Sequence, residues 1–167
     1  MRFLSCVVMT LVLLATSTST AHARLTRAWT YQELYDAADL VVIVTSGKTR
    51  TLKEQAALPD IQQGKADGTT GPVMGQRVET ELQVVTVLKG TALDVKGKAS
   101  KTVVLHHYAE VPGAGVSING PTLVSFDPTT KIQYLVFLTR GKDGQYVAVS
   151  GQTDPWFSIE ELRQRAP

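Results

Sequence analysis

The sequence has few of the features that would point directly to a chemical function. Its single cysteine is Cys6, so cysteine nucleophiles, disulfides and thiolate metal sites are excluded from the remainder of the chain. It contains neither a G-x-S-x-G nucleophile elbow nor a phosphate-binding G-x-x-x-x-G-K-[ST] motif. These absences count against serine hydrolases and P-loop enzymes. The sequence therefore favours a non-enzymatic protein without a cofactor.

Long apolar runs are also scarce, and the only one stands at the start of the chain. It extends over residues 3–15, about 13 residues, whereas a membrane-spanning helix needs roughly 20. The run follows Arg2 and leads through a Ser/Thr stretch to Ala21-His22-Ala23, an A-x-A cleavage site. This pattern predicts a signal peptide over residues 1–23, cleaved after Ala23. The protein is then periplasmic or secreted, with no membrane span after cleavage.

The chain has little excess charge of either sign. Its 17 Lys and Arg residues face 15 Asp and Glu residues, and no block of five or more like charges occurs. Nucleic-acid binding needs a basic groove with exposed aromatic side chains, but Tyr134 and Phe137 lie in the most apolar segment of the chain. We therefore expect no nucleic-acid partner. The expected partner is an unidentified small ligand or an envelope protein.

Residues 24–167 are predicted to form one mainly β domain. A capping box from Thr30 to Glu33 predicts a short helix over residues 30–38. A second capping box, Ser158 to Glu161, predicts a short C-terminal helix. The segment 51–77, rich in glycine and polar residues, is predicted to be a long loop. Runs of β-branched and apolar residues predict strands over residues 40–45, 78–88, 101–108, 122–126, 132–139 and 145–149.

The alternation of apolar residues changes phase inside the second predicted strand, between Val84 and Val85. Such a change is typical of a β-bulge, which strongly bent barrel strands require. Together with strands of uneven length and long loops, it predicts a small OB-like Greek-key barrel of five to six strands. A β-sandwich is the alternative fold.

The chain resembles a family of uncharacterised exported bacterial proteins over residues 31–162, in the segments ADLVVIVTSGKTR, VETELQVVTVLKG, KTVVLHHY, PTLVSFDP and YLVFLTRGKDGQYVAVSGQTDPWFSI. This resemblance implies no activity. A remoter similarity, in ADLVV and VLKG, is to the OB-type barrel of netrin and tissue-metalloproteinase-inhibitor modules. That similarity implies the barrel alone, since those inhibitors present an N-terminal cysteine to zinc and this chain, once cleaved before Arg24, has none.

Candidate binding residues occur in two segments. In the first, His106 and His107 are neighbours on a predicted strand, so their side chains point to opposite faces and both cannot bind one metal ion. One reading packs one histidine in the barrel and leaves the other at the surface. The other reading makes His107 and Tyr108 part of a binding site beside a glycine-rich loop.

The second segment, residues 151–157, combines turn formers with polar and aromatic side chains. Gln152, Asp154 and Trp156 in this segment could hold a ligand by stacking and polar contacts. The structural alternative is that Asp154 and Pro155 form a turn while Trp156 and Phe157 close the end of the barrel.

These observations predict a non-enzymatic binding or interaction module that uses the loop side of a β-barrel, formed by residues 51–77, 110–121 and 151–157. No catalytic residue and no metal ligand is assigned. The alternative is a metal-assisted enzyme that uses His106 or His107. Glu79 and Glu81 are predicted to be solvated strand residues.

Overall fold

A computed structural model describes residues 26–64, 69–111 and 120–162; the predicted signal peptide lies outside these ranges. Within them, no helix is both long and apolar enough to cross a membrane. The elements in chain order are α1 (Tyr31–Ala37), β1 (Leu40–Gly64), β2 (Thr70–Lys89), β3 (Thr102–Glu110), β4 (Gln133–Arg140), β5 (Tyr146–Ala148), a 3₁₀-helix (Pro155–Ser158) and β6 (Ile159–Leu162). The predicted mainly β fold and the short N-terminal helix are confirmed.

The strands form one sheet that closes on itself. β1 pairs antiparallel with β2 along its whole length, and its first six residues also pair antiparallel with β4. β2 pairs with β3 and β4 pairs with β5, while β3 meets β5 in parallel at a single pair, Leu105 and Tyr146. The strands therefore ring round without forming an even barrel. All strands of the described ranges belong to this one sheet, which disfavours the sandwich alternative.

The core lies inside the ring and begins with β1. Leu40, Val42 and Val44 are fully buried there, while Val41 points outward beneath α1 and is buried against Leu34. This explains the unbroken apolar run at the start of β1, because a strand covered on both faces has no solvated side. The inner cluster also includes Leu82, Val103, Leu105, Phe126, Tyr134, Val136, Leu138 and Tyr146.

The bulge predicted in the second strand is present. Ile43 pairs with Thr86 and Val44 with Val84, so Val85 is the additional residue. Val85 and Val87 are nevertheless exposed, although Val87 pairs with Val42, a buried residue of the inner cluster. The bulge lets β2 bend with the ring while β1 keeps its pairing with β4.

The prediction of a long loop over residues 51–77 is wrong. Residues 51–64 of β1 and 70–77 of β2 pair with each other and extend the two strands into a hairpin, which we call the arm. Apolar residues at its far end pack together and against Tyr108 of β3, which gives the hairpin its own small core; these residues are Leu58, Ile61 and Val73. The many glycines of this segment led to the prediction of a loop, because glycine favours turns. Glycine also occurs within strands, where another part of the chain approaches the backbone closely.

Two smaller predictions are also wrong. Residues 159–162 are a strand paired with residues 133–136 of β4, not a helix, because the edge of β4 offers backbone hydrogen-bond partners. The Ser158 hydroxyl accepts from the backbone N–H of Ser150 and so does not cap a helix. Residues 122–126 do not form a strand, but Phe126 packs in the core, with 5.2 Å between the centroids of its ring and the Tyr134 ring.

Gly90, directly after β2, provides a test of the ring closure. Its φ is +78°, and a Cβ there would overlap the backbone carbonyl oxygen of Asp39, the residue before β1. Gly151 has φ +95° but open space around the same position. We expect Gly151→Ala to lower the free energy of unfolding by about 1 kcal/mol from backbone strain alone. Gly90→Ala should lower it by at least about 1 kcal/mol more, because the overlap is with backbone. Equal losses in urea denaturation would contradict this contact.

Candidate functional site

An open pocket of about 400 Å³ lies against β2 and β3, between the base of the arm and the turn that joins β4 to β5. We call it the β2–β3 pocket. It brings together three residues that the sequence analysis had singled out from two separate segments: His107, Tyr108 and Gln152. The remaining wall consists of Leu52, Arg77, Val78, His106, Gly141, Lys142, Asp143 and Val147.

His107 lies at the inner wall of this pocket and is held by the core. Its side chain is 5% exposed, its Nε2 lies 2.9 Å from the Thr80 hydroxyl, and its ring meets Phe126 edge-on at 5.5 Å. Burial lowers the pKa of His107 to about 4, so its imidazole is neutral at pH 7. His107 is therefore the packed histidine of the two.

His106 points to the other face of β3 and makes a hydrogen bond that the sequence analysis missed. Its Nε2 lies 2.8 Å from Oε1 of Glu79, which stands directly opposite it on β2. Burial also lowers the pKa of His106, with Glu79 acting in the opposite direction. The neutral ring must therefore carry its proton on Nε2, because a carboxylate only accepts.

Glu79 is not the solvated residue that the alternation pattern predicted. Its side chain is 13% exposed and also accepts hydrogen bonds from Arg50 Nε at 3.0 Å and from Gln145 Nε2 at 3.3 Å. Three donors thus converge on one carboxylate beside the pocket. The pairing of β2 with β3 produces this cluster, and residue spacing alone does not reveal it.

Gln152 places a hydrogen-bond acceptor in the pocket wall. Its amide nitrogen donates to the His106 carbonyl oxygen at 3.1 Å. Because that carbonyl can only accept, the other amide atom must be the oxygen. This Oε1 is buried and has no hydrogen-bond partner. The same is true of Oε1 of Gln145, whose amide nitrogen donates to Glu79.

The other two candidate residues lie elsewhere. The Asp154 carboxylate accepts from the backbone N–H of Thr122 at 3.4 Å and its carbonyl oxygen accepts from the Ser150 hydroxyl at 2.8 Å, so Asp154 fixes the turn before the 3₁₀-helix. Trp156 is 48% exposed and lines a different pocket, so it does not close the end of the barrel.

The described ranges contain no group of three or more His, Cys, Asp or Glu side chains placed to hold a metal ion. His106 and His107 point to opposite faces and have separate partners, Glu79 and Thr80. The arrangement therefore provides no support for the metal-assisted alternative.

The low pKa of His107 predicts a loss of stability in acid. Between about pH 4 and 6.5 the unfolded chain binds a proton on this ring that the folded protein does not, so the free energy of unfolding rises with pH across that interval. From pH 7 to pH 5 we expect this residue alone to contribute a loss of about 2 kcal/mol. His107→Gln, which keeps a group able to bond Thr80, should lack that part of the loss in urea denaturation.

His106→Gln is the matched control, since it removes the neighbouring histidine and leaves the buried ring in place. It should retain the His107 contribution to the pH dependence. Identical pH dependence in the wild-type protein and His107→Gln would contradict the assignment.

No protein-family model matches the chain, and no curated protein is significantly similar to it. The interpretation of both pockets therefore depends on the geometry described above.

Proposed function

We propose that the protein is an exported, non-enzymatic binding module that takes a small polar ligand in the β2–β3 pocket. The position of the pocket supports this proposal. It lies on the face of the second and third strands, flanked by the hairpin between strands one and two and by the turn between strands four and five. OB-type barrels bind their ligands on this face, between the corresponding loops.

The observation that carries the proposal is the buried carbonyl oxygen of Gln152. A buried polar atom without a partner costs about 1–3 kcal/mol, so a ligand that reaches this side-chain oxygen and donates a hydrogen bond to it would recover up to that amount. An oxygen accepts hydrogen bonds, which favours a ligand that donates them, such as a hydroxyl or amine compound.

The remainder of the lining suits a neutral or weakly charged ligand. Two basic side chains, Arg77 and Lys142, and one acidic side chain, Asp143, line the pocket, so the excess of charge is small, and the half-buried ring of Tyr108 provides an apolar surface. The His106–Glu79 pair is surrounded by Arg50 and Gln145. Because three donors already occupy the carboxylate of Glu79, the pair favours a structural role over acid–base catalysis.

Ligand binding is tested by native mass spectrometry of protein purified from the periplasm of its own host, compared with the same sample denatured. We expect an additional mass on the native protein that disappears on denaturation. Gln152→Met removes the buried oxygen while keeping an unbranched side chain, and should reduce the bound fraction about tenfold. Gln83→Met, at an exposed position of β2 away from the pocket, should leave the bound fraction unchanged. A bare wild-type protein, or full occupancy in Gln152→Met, would argue against this function.

Export is part of the proposal and is supported by the pattern of residues 1–23. We expect the protein recovered from the periplasm to begin at Arg24 and therefore to contain no cysteine. N-terminal sequencing together with the intact mass checks this. A chain that retains residues 1–23, or that is found only in the cytoplasm, would contradict it.

A further inference from the structure

A second open pocket lies where the segment before α1 meets the 3₁₀-helix and β6. Its volume is about 420 Å³, which is sufficient for a small organic molecule. We call it the aromatic pocket, and it has no lining residue in common with the β2–β3 pocket. The side chains that matter below are Trp29, Tyr31, Trp156, Phe157, Glu160 and Glu161.

The aromatic rings of this pocket are unusually accessible. Tyr31 is 58% exposed and Trp156 is 48% exposed, although large aromatic side chains gain most by burial. Phe157 lies against Trp156 with 4.3 Å between ring centroids and an angle of 30° between the planes. Pro155, which is fully buried, anchors the start of the 3₁₀-helix. Two adjoining rings are thus held at the surface by a fixed backbone.

The rim of the aromatic pocket carries negative charge. Glu160 and Glu161 are exposed residues of β6, and both line the pocket. The hydroxyl of Tyr31 donates a hydrogen bond to the Glu160 carboxylate, which fixes that carboxylate beside the rings. Aromatic faces and carboxylates both attract cations, so the two features select the same ligand charge.

A cation of the chain itself contacts one of the aromatic rings that line this pocket, Trp29. The guanidinium carbon of Arg27 lies 4.0 Å from the centre of the Trp29 ring, and its nitrogen is 2.9 Å from the Glu33 carboxylate. An aromatic face paired with a carboxylate therefore holds a positive group at this edge of the protein. Trp156, Phe157 and Glu160 line the same pocket and again combine aromatic rings with a carboxylate.

We propose that the aromatic pocket binds a small alkylammonium ion, with its positive head group over the Trp156 ring and beside the Glu160 carboxylate. The volume of the pocket accommodates such an ion, and its carboxylates complement the charge. This site is independent of the ligand proposed for the β2–β3 pocket. Either can be wrong without the other.

The chain supplies its own probe of this site. Trp29 and Trp156 are its only two tryptophans, and both line the aromatic pocket, so tryptophan fluorescence reports on this pocket alone. The purified protein is titrated at constant ionic strength with choline, with butylammonium and with 3,3-dimethylbutan-1-ol, the neutral analogue of choline. We expect saturable changes with the two cations. The alcohol should bind roughly tenfold or more weakly, since it lacks the charge.

Two variants and a control variant show whether choline binds in this pocket. Their affinity is measured by calorimetry, because the loss of a tryptophan would change the fluorescence signal. Glu160→Gln preserves shape and removes charge, and should weaken choline binding about fivefold or more. Trp156→Leu should weaken it about tenfold, while Glu81→Gln, at an exposed position of β2, should bind choline as the wild-type protein does.

Three results would overturn the proposal. The first is no saturation by either ammonium ion, and the second is equal affinity for choline and its neutral analogue. The third is wild-type affinity in Glu160→Gln. Glu160→Gln changes an exposed side chain, so it still tests the proposal if Trp156→Leu unfolds.

Discussion

The ring of strands closes because β1 pairs along both of its edges. Residues 41–45 pair with β2 on one side and with β4 on the other, and this double pairing closes the sheet. A strand in that position is covered on its inner face by the core and on its outer face by α1. Closure also requires β2 to bend, and the bulge at Val85 together with the positive φ of Gly90 allows the chain to leave β2 within contact of Asp39. The backbone pairing of β1 therefore explains why a bulge occurs at Val85 and a glycine at position 90.

The register between β2 and β3 then determines the chemistry of the β2–β3 pocket. Thr80 pairs with Leu105 and Val78 with His107, so Glu79 stands opposite His106 on the outer face. The same register leaves His107 inside, bonded to Thr80, where burial keeps it neutral. A shift of one residue would exchange the two faces and place Glu79 among apolar side chains, which its charge forbids. The buried apolar residues of the two strands therefore enforce the histidine–carboxylate pair.

The segment from Ser150 to Leu162 connects the two pockets. Gln152 reaches back to the His106 carbonyl and lines the β2–β3 pocket, whereas Trp156 turns outward and lines the aromatic pocket. The change of direction comes from the turn that Asp154 and the buried Pro155 fix between them. The chain then continues as β6 along β4. This places Glu160 and Glu161 in the same pocket as Trp29 and the first residue of α1, Tyr31. A helix at this place, as the sequence pattern predicts, would not align these carboxylates with Tyr31 in the same way.

Local sequence patterns were sufficient to predict the mainly β class, the helix at residues 31–37, the bulge in β2 and most strand positions, because these depend on local periodicity and on capping. They also brought forward His107, Tyr108 and Gln152, which the fold places in one pocket. Contacts in the folded protein are needed to show that residues 51–64 and 70–77 belong to a hairpin, that residues 159–162 form a strand, and that Glu79 is a half-buried partner of His106. Each of these depends on contacts between segments distant in sequence: Tyr108 covering the arm, β4 offering its edge, and β3 setting the register of β2. Local pattern cannot contain that information, since the energy of such contacts arises only when both partners are in place.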